Sequence, residues 1–146
     1  MSITLKYDYI KLPSKPSEAF RRRLSISRPA IPIQLINGQN RVRCYALIDS
    51  GADYCVFPAS LGELIGLKIE SGKLDCFDSV AEKQQGLKAY FHSIKFEVGG
   101  YEFDCWAGFS RDIGNAVLGQ LGFFSLFSIL FDYSKERVEL KLKNNA

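Results

Sequence analysis

The residues of this 146-residue chain best suited to chemistry lie in Ala46-Leu47-Ile48-Asp49-Ser50-Gly51-Ala52-Asp53, where a carboxylate directly follows an apolar run and directly precedes a Ser-Gly turn. An acid placed there is held on rigid β-structure. Ser50 offers a bracing hydroxyl, and Gly51 lets the backbone bring N–H groups close to the carboxylate. Asp-Ser-Gly also describes plain turns, in which the Asp side chain bonds the backbone two residues on. The surrounding elements must therefore decide between a reactive acid and a turn.

Other chemistries find less support. His92 is the single histidine, so a serine- or cysteine-type triad would depend on it, with Ser50 or Cys55 as nucleophile, and nothing in the sequence places them together. It reads instead as an ordinary histidine on a strand. Cys44, Cys55, Cys76 and Cys105 show no C-x-x-C spacing and no cluster with histidine, which argues against a zinc site or a redox motif and for buried free thiols. No metal and no cofactor are expected. Trp106, Phe109 and the phenylalanines from Phe123 to Phe131 read as core.

Asp49 must be positioned by short β-elements. Ile31–Ile36, Asn37-Gly38 and Arg41–Ile48 predict a hairpin, because Asn-Gly tolerates the positive φ of a tight turn. In its second strand Val42, Cys44, Ala46 and Ile48 alternate onto one face, so Asp49 emerges at a strand end. Further strands are predicted at Leu87–His92, Ile94–Val98 and Tyr101–Trp106, with Gly99-Gly100 as a second hairpin turn. Pro58 to Ile65 predicts a short helix closed by Gly66, and Gln120–Phe127 a second one. Ser128–Asp132, a turn over Tyr133–Glu136, and Arg137–Leu142 end the chain in strands. Strands dominate and no βαβ alternation appears, so the fold class is all-β, a barrel or sandwich.

The chain is 47% hydrophobic and 13% aromatic, enough for one substantial core at this length. Its formal charge of +3 is far from the concentrated basic footprint of a nucleic-acid binder. The longest apolar stretch, Gly122 to Phe131, is about half the ~20 residues of a membrane-spanning helix, and the N-terminus lacks the apolar core of a secretory signal. The expected partners include neither nucleic acid nor membrane, and the expected location is cytoplasmic. Residues 1–28 read as an N-terminal arm ahead of a domain over 29–146. Pro13 and Pro16 should interrupt regular structure there, and Arg21-Arg22-Arg23 reads as a solvated charge run.

Two features beyond Asp49 fall in an informative order: Asn115-Ala-Val-Leu-Gly119, an apolar run ending in glycine before the last elements, and the hairpin material between it and Asp49. Together these motifs resemble the retropepsin-like aspartic proteases, the single-lobed family of retroviral proteases and bacterial relatives. The likeness spans about Ile31 to Leu142. Leu121-Gly-Phe-Phe124 with Phe131-Asp132 looks especially like the bacterial members.

The resemblance implies a single-lobed acid-protease β-barrel with one or two short helices. In it Asp49 is catalytic, Ser50, Gly51 and Ala52 support it, and Asp53 buttresses it. Val117, Leu118 and Gly119 form the structural loop beside the site. The flap, a hairpin covering substrate, should have its tip at Ser79, Val80, Ala81 and Glu82, a segment with no glycine before Gly86. Aspartic protease chemistry needs two carboxylates sharing a proton. The chain has one Asp-Ser-Gly, and neither Asp53, Asp112 nor Asp132 occupies an equivalent place, so the expectation is a two-fold homodimer that acts on a polypeptide substrate. Its interface should draw on Arg137–Leu142. A catalytically silent dimer binding a peptide or protein in the same groove is the alternative, and a small β-barrel ligand carrier is a third reading.

Overall fold

The computed structural model describes residues 3–79 and 84–143. The strands follow the chain as β1 (Thr4–Asp8), β2 (Ile10–Pro13), β3 (Ser25–Arg28), β4 (Ala30–Asn37), β5 (Asn40–Ile48) and β6 (Val56–Pro58). The helix α1 (Ala59–Leu64) and a single 3-10 turn (Ile69–Ser71) come next. Then follow β7 (Lys73–Ser79), β8 (Gln84–Val98), β9 (Tyr101–Ser110), β10 (Ala116–Leu118), β11 (Phe127–Asp132) and β12 (Arg137–Leu142).

Seven strands form one sheet in the order β4-β5-β10-β6-β9-β8-β7, and a further β4–β8 pairing, Leu35 opposite Phe96, closes it on itself. The all-β barrel expected from the sequence is what forms. Its interior is filled by the inward set of each strand: Ile31, Ile33 and Leu35 of β4, Ala46 and Ile48 of β5, Phe96 and Val98 of β8, Ala107 and Phe109 of β9. The alternation read for β5 holds, with Ala46 and Ile48 buried and Arg43 and Tyr45 exposed.

The Gly99-Gly100 turn is as predicted, both residues at positive φ (58° and 88°) between β8 and β9. The first hairpin turns one residue later than expected: Asn37 pairs with Asn40, so Gly38 and Gln39 are central and Gly38 carries the positive φ of 62°. The two predicted strands Leu87–His92 and Ile94–Val98 are one continuous β8, since exposed Ser93 stays in register opposite Trp106. Helix α1 starts after Pro58 and ends before Gly66, as the Pro-first, Gly-last pattern requires.

The second predicted helix is absent. Residues 119–126 form successive turns, with Phe124 N–H donating to Gly119 C=O (3.2 Å) and Leu126 N–H to Phe123 C=O (2.9 Å). Gly122 at φ 102° takes the chain out of helical space.

The N-terminal segment is more ordered than its prolines suggested. β1 pairs antiparallel with β12, which also pairs with β11, giving the sheet β1-β12-β11. Leu5 and Tyr7 pack on the main core, as do buried Val138 and Leu140 of β12. β2 and β3 form a separate hairpin, and Pro13 closes β2 as its last residue, where a missing N–H costs least.

The core expectation fails at particular side chains. Phe109, Phe123 and Phe127 are buried, but Trp106 is 54% exposed and stacks on Phe91 from outside (6.1 Å between rings). Of the four free cysteines Cys55 and Cys105 are buried, Cys44 is half-buried and Cys76 is exposed.

Candidate active site

β5 delivers Asp49, the chain turns through residues 50–55, and β6 leads away. β10 fills the gap between the two strands. It runs parallel to β5, pairing Ala116 with Ala46 and Leu118 with Ile48, and meets β6 at Val117 opposite Val56. The apolar triplet Val117-Leu118-Gly119 thus does local work, wedging apart the strands that carry the acid and its turn. Asp49 N–H donates to the Leu118 carbonyl (3.0 Å), continuing the ladder one residue past β5.

Within the turn, Gly51 N–H donates to Asp49 Oδ1 (2.9 Å) and Ala52 N–H to the Asp49 carbonyl (3.1 Å). One carboxylate oxygen is therefore held by the backbone, and the side chain is only partly covered by protein. A Cβ at position 51 would sit 3.3 Å from Oδ1, so a glycine there preserves the approach. Ser50, Gly51 and Asp53 are exposed and Ala52 is half-buried, all on the same turn as Asp49.

The turn is clamped by the residues after β10. Gln120 N–H donates to Ala52 C=O (2.8 Å), Leu121 N–H to Asp53 C=O (2.9 Å), and Gln120 Nε2 to Ser50 C=O (2.8 Å). Gly119 lets the two segments meet: a Cβ there would lie 2.3 Å from the Tyr54 carbonyl oxygen and 2.7 Å from that of Ala52. Sequence reading missed Gln120. Its position directly after the V-L-G run was the available signal, but an exposed glutamine has no periodicity to mark it.

The β7–β8 hairpin stands where the flap was expected. Its ladder runs from Lys73 opposite Phe91 to Phe77 opposite Leu87, then shifts register before Ser79 opposite Gln84. At the irregularity Gly86 takes φ 68° and donates its N–H to Asp78 Oδ1 (3.0 Å). Of the predicted tip, Ser79 ends β7, while Val80, Ala81 and Glu82 lie outside the described residues. One face of the hairpin packs beside the Asp49 turn: Leu87, Ala89 and Phe91 cluster with Val56, Ile113, Tyr54 and Phe77, and Phe91, at the hairpin base, meets Tyr54 edge-on at 5.4 Å.

Rival constellations are separated in space. His92 Nε2 lies 2.9 Å from the Ile69 carbonyl and its ring packs edge-on against Phe109. Cys55 Sγ faces the Leu121 carbonyl (3.6 Å) and the Cys105 thiol instead. Hydrogen bonding from Cys105 favours the Cys55 thiolate, while the same bond, reinforced by burial, pushes the Cys105 thiol up. Asp112 accepts the N–H of Lys88 in β8 (3.0 Å), and Asp132 caps the β11–β12 turn by accepting the Ser134 hydroxyl (2.8 Å). Among the described residues no cluster of three or more His, Cys, Asp or Glu side chains could hold a metal ion.

No protein-family model and no curated protein matches the sequence. Among solved structures, a retropepsin-like aspartic protease from Rickettsia conorii superposes with a TM-score of 0.59 at 15% identity, over 97% of this chain and 94% of that one. EIAV protease complexed with the inhibitor HBY-793 gives a TM-score of 0.48 at 16% identity, over 64% of this chain and 82% of that one. Nearly end-to-end correspondence with the Rickettsia structure, together with the closed barrel and the β10 wedge beside Asp49, assigns this chain the fold of the retropepsin-like aspartic proteases.

Proposed function

We propose that the chain is an aspartic endopeptidase whose catalytic pair is Asp49 from each of two subunits. The observation that carries this reading is the placement of Asp49. It extends β5 by one residue past the buried Ala46 and Ile48, has one oxygen held by the Gly51 N–H, and its turn is clamped by Gln120. Rigid support of this kind suits a general acid–base and exceeds what a plain surface turn requires.

A lone carboxylate does not suffice. With two brought together, like-charge repulsion raises one pKa so that the pair shares a proton. The ionised member takes a proton from water as the water attacks the scissile carbonyl, and the protonated member gives its proton to the carbonyl oxygen. Ser50 bonds across the two-fold axis and holds the pair coplanar, Asp53 buttresses the turn, and the β7–β8 hairpin covers a polypeptide substrate. No cofactor is called on, and the proposed location is the cytoplasm.

We propose a subunit contact other than the one expected at Arg137–Leu142. β12 lies at the centre of its sheet with both edges occupied, by β1 and β11, which leaves no backbone edge for a partner strand. Among the described residues β11 has its outer edge unpaired; it carries exposed Leu130 and Phe131 and follows directly from the turns that clamp Asp49. We therefore place the two-fold contact at β11, as edge-to-edge pairing.

Incubating purified protein with a diverse peptide library from pH 4 to 8 tests the reading. Cleavage blocked by a peptide isostere with a hydroxyl in place of the attacking water is expected. Uncleaved peptides throughout that range would leave the silent peptide-binding dimer as the better account.

A further inference from the structure

The β2–β3 hairpin concentrates charge that the composition of the whole chain conceals. Between Ile10 and Arg28 stand six basic residues, Lys11, Lys15, Arg21, Arg22, Arg23 and Arg28, against the single acid Glu18, a formal +5, whereas the full chain carries +3. The remainder of the molecule is thus net −2. At the hairpin base, Lys11 lies 3.9 Å from Glu136 and the Ser27 hydroxyl also donates to Glu136, which ties the root to the β11–β12 turn. Beyond the root, among the described residues, only Arg21 has an acidic partner, Glu18 at 3.3 Å.

The same hairpin exposes large apolar side chains: Leu12 at 45%, Phe20 at 57% and Leu24 at 73%. Leu12 pairs across the ladder with Ile26, and the Ser14 N–H donating to the Leu24 carbonyl (3.0 Å) extends the pairing, so Leu12, Leu24 and Ile26 share one face. Phe20 sits in the loop beyond, fixed by reciprocal backbone hydrogen bonds with Ser17 (3.1 and 3.2 Å), and the Arg23 guanidinium lies over its ring at 5.0 Å. The loop is therefore shaped, and it presents cations and hydrocarbon together.

We propose that this hairpin is a docking surface for an anionic lipid bilayer, with the arginines among the headgroups and Phe20 and Leu24 at the acyl boundary. Acidic headgroups complement the unpaired cations. An apolar boundary just beneath them removes Phe20 and Leu24 from water, which a phosphate backbone of nucleic acid does not do. Contact would be peripheral: no helix among the described residues is long and apolar enough to cross a membrane. The proposal departs from the solvated role drawn from Arg21-Arg22-Arg23 alone, because the sequence did not reveal which side chains the hairpin leaves exposed beside them.

Co-sedimentation of the full chain with phosphatidylcholine vesicles, with and without phosphatidylserine, tests it. Binding to the phosphatidylserine vesicles alone is expected, weakening as salt is raised. Each basic residue at an anionic surface is worth roughly fivefold in partitioning, so R21Q/R22Q/R23Q should lower it on the order of 100-fold. Phe20→Ser with Leu24→Ser should lower it about tenfold at unchanged charge, with the wild-type melting temperature because both side chains are exposed. Three results would overturn the proposal: no wild-type binding to phosphatidylserine vesicles, undiminished binding by the Phe20/Leu24 variant, or a short DNA duplex binding the protein while vesicles do not.

Discussion

Gly119 and Tyr54 touch so closely that position 119 has no room for a side chain: a Cβ there would lie 2.3 Å from the Tyr54 carbonyl oxygen. Backbone on backbone cannot relax as a side-chain tip can, so the two loops would have to separate. Gly119→Ala is expected to destabilise the fold by about 1–3 kcal/mol or more and to break the Gln120–Ala52 and Leu121–Asp53 hydrogen bonds. Thermal unfolding checks the first effect, and amide hydrogen exchange at Gln120 and Leu121 checks the second.

Gln120→Ala isolates the side-chain part of the clamp. It removes the Nε2 bond to the Ser50 carbonyl while keeping both backbone bonds. Because the site is exposed, the expected stability loss is only about 0.5–1.5 kcal/mol. In the proposed enzyme kcat should fall while KM changes little, since a looser turn misplaces Asp49 without touching substrate. An unchanged kcat would show that Gln120 holds the fold and not the reacting group.

These contacts also mark what could be read from residue order. Asp49 at a strand end, the Gly99-Gly100 turn and the V-L-G run were legible because each depends on local pattern: period-two burial, positive φ, an apolar run stopped by glycine. β1 escaped notice although Leu5 and Tyr7 alternate with exposed Thr4, Lys6 and Asp8, because its partner β12 lies more than a hundred residues on, and local reading sees no such pairing. The same long-range pairing encloses β12, which the resemblance had put at the subunit contact. Residues 120–127 looked helical by composition, and the positive φ at Gly122 overrode it. Gln120 became visible only once Ser50 was beside it.

The thiols should differ sharply in reactivity. Burial pushes Cys44 up to about 11, so near neutrality it stays protonated, and Cys55 and Cys105 are shielded from reagent. Cys76 is exposed. Titrating the native protein with a disulfide reagent near neutral pH should consume one thiol per chain rapidly, and all four after denaturation. Rapid loss in Cys76→Ser would contradict this.

Asp132 links acidity to the β11–β12 turn. The Ser134 hydroxyl, then the Lys135 N–H, hold its carboxyl below the usual carboxylate range. A depressed native pKa stabilises the fold above the unfolded pKa, and that contribution is lost as pH falls through the native value. Asp132→Asn should therefore melt below wild type at neutral pH, and the gap should close in acid. Because the group sits on a surface turn within reach of solvent, the effect should be small. A gap that persists in acid would assign it to something other than ionisation.

If Asp49 performs the chemistry, Asp49→Asn should separate turnover from folding and assembly. Asparagine is nearly isosteric and its carbonyl oxygen can still accept the Gly51 N–H, so the turn should survive and subunit association should be kept or strengthened as repulsion is relieved. Wild type should show a rate that is bell-shaped in pH and Asp49→Asn no turnover at any pH, with sedimentation giving the same dimer for both. Peptide hydrolysis by Asp49→Asn at the wild-type rate would contradict it.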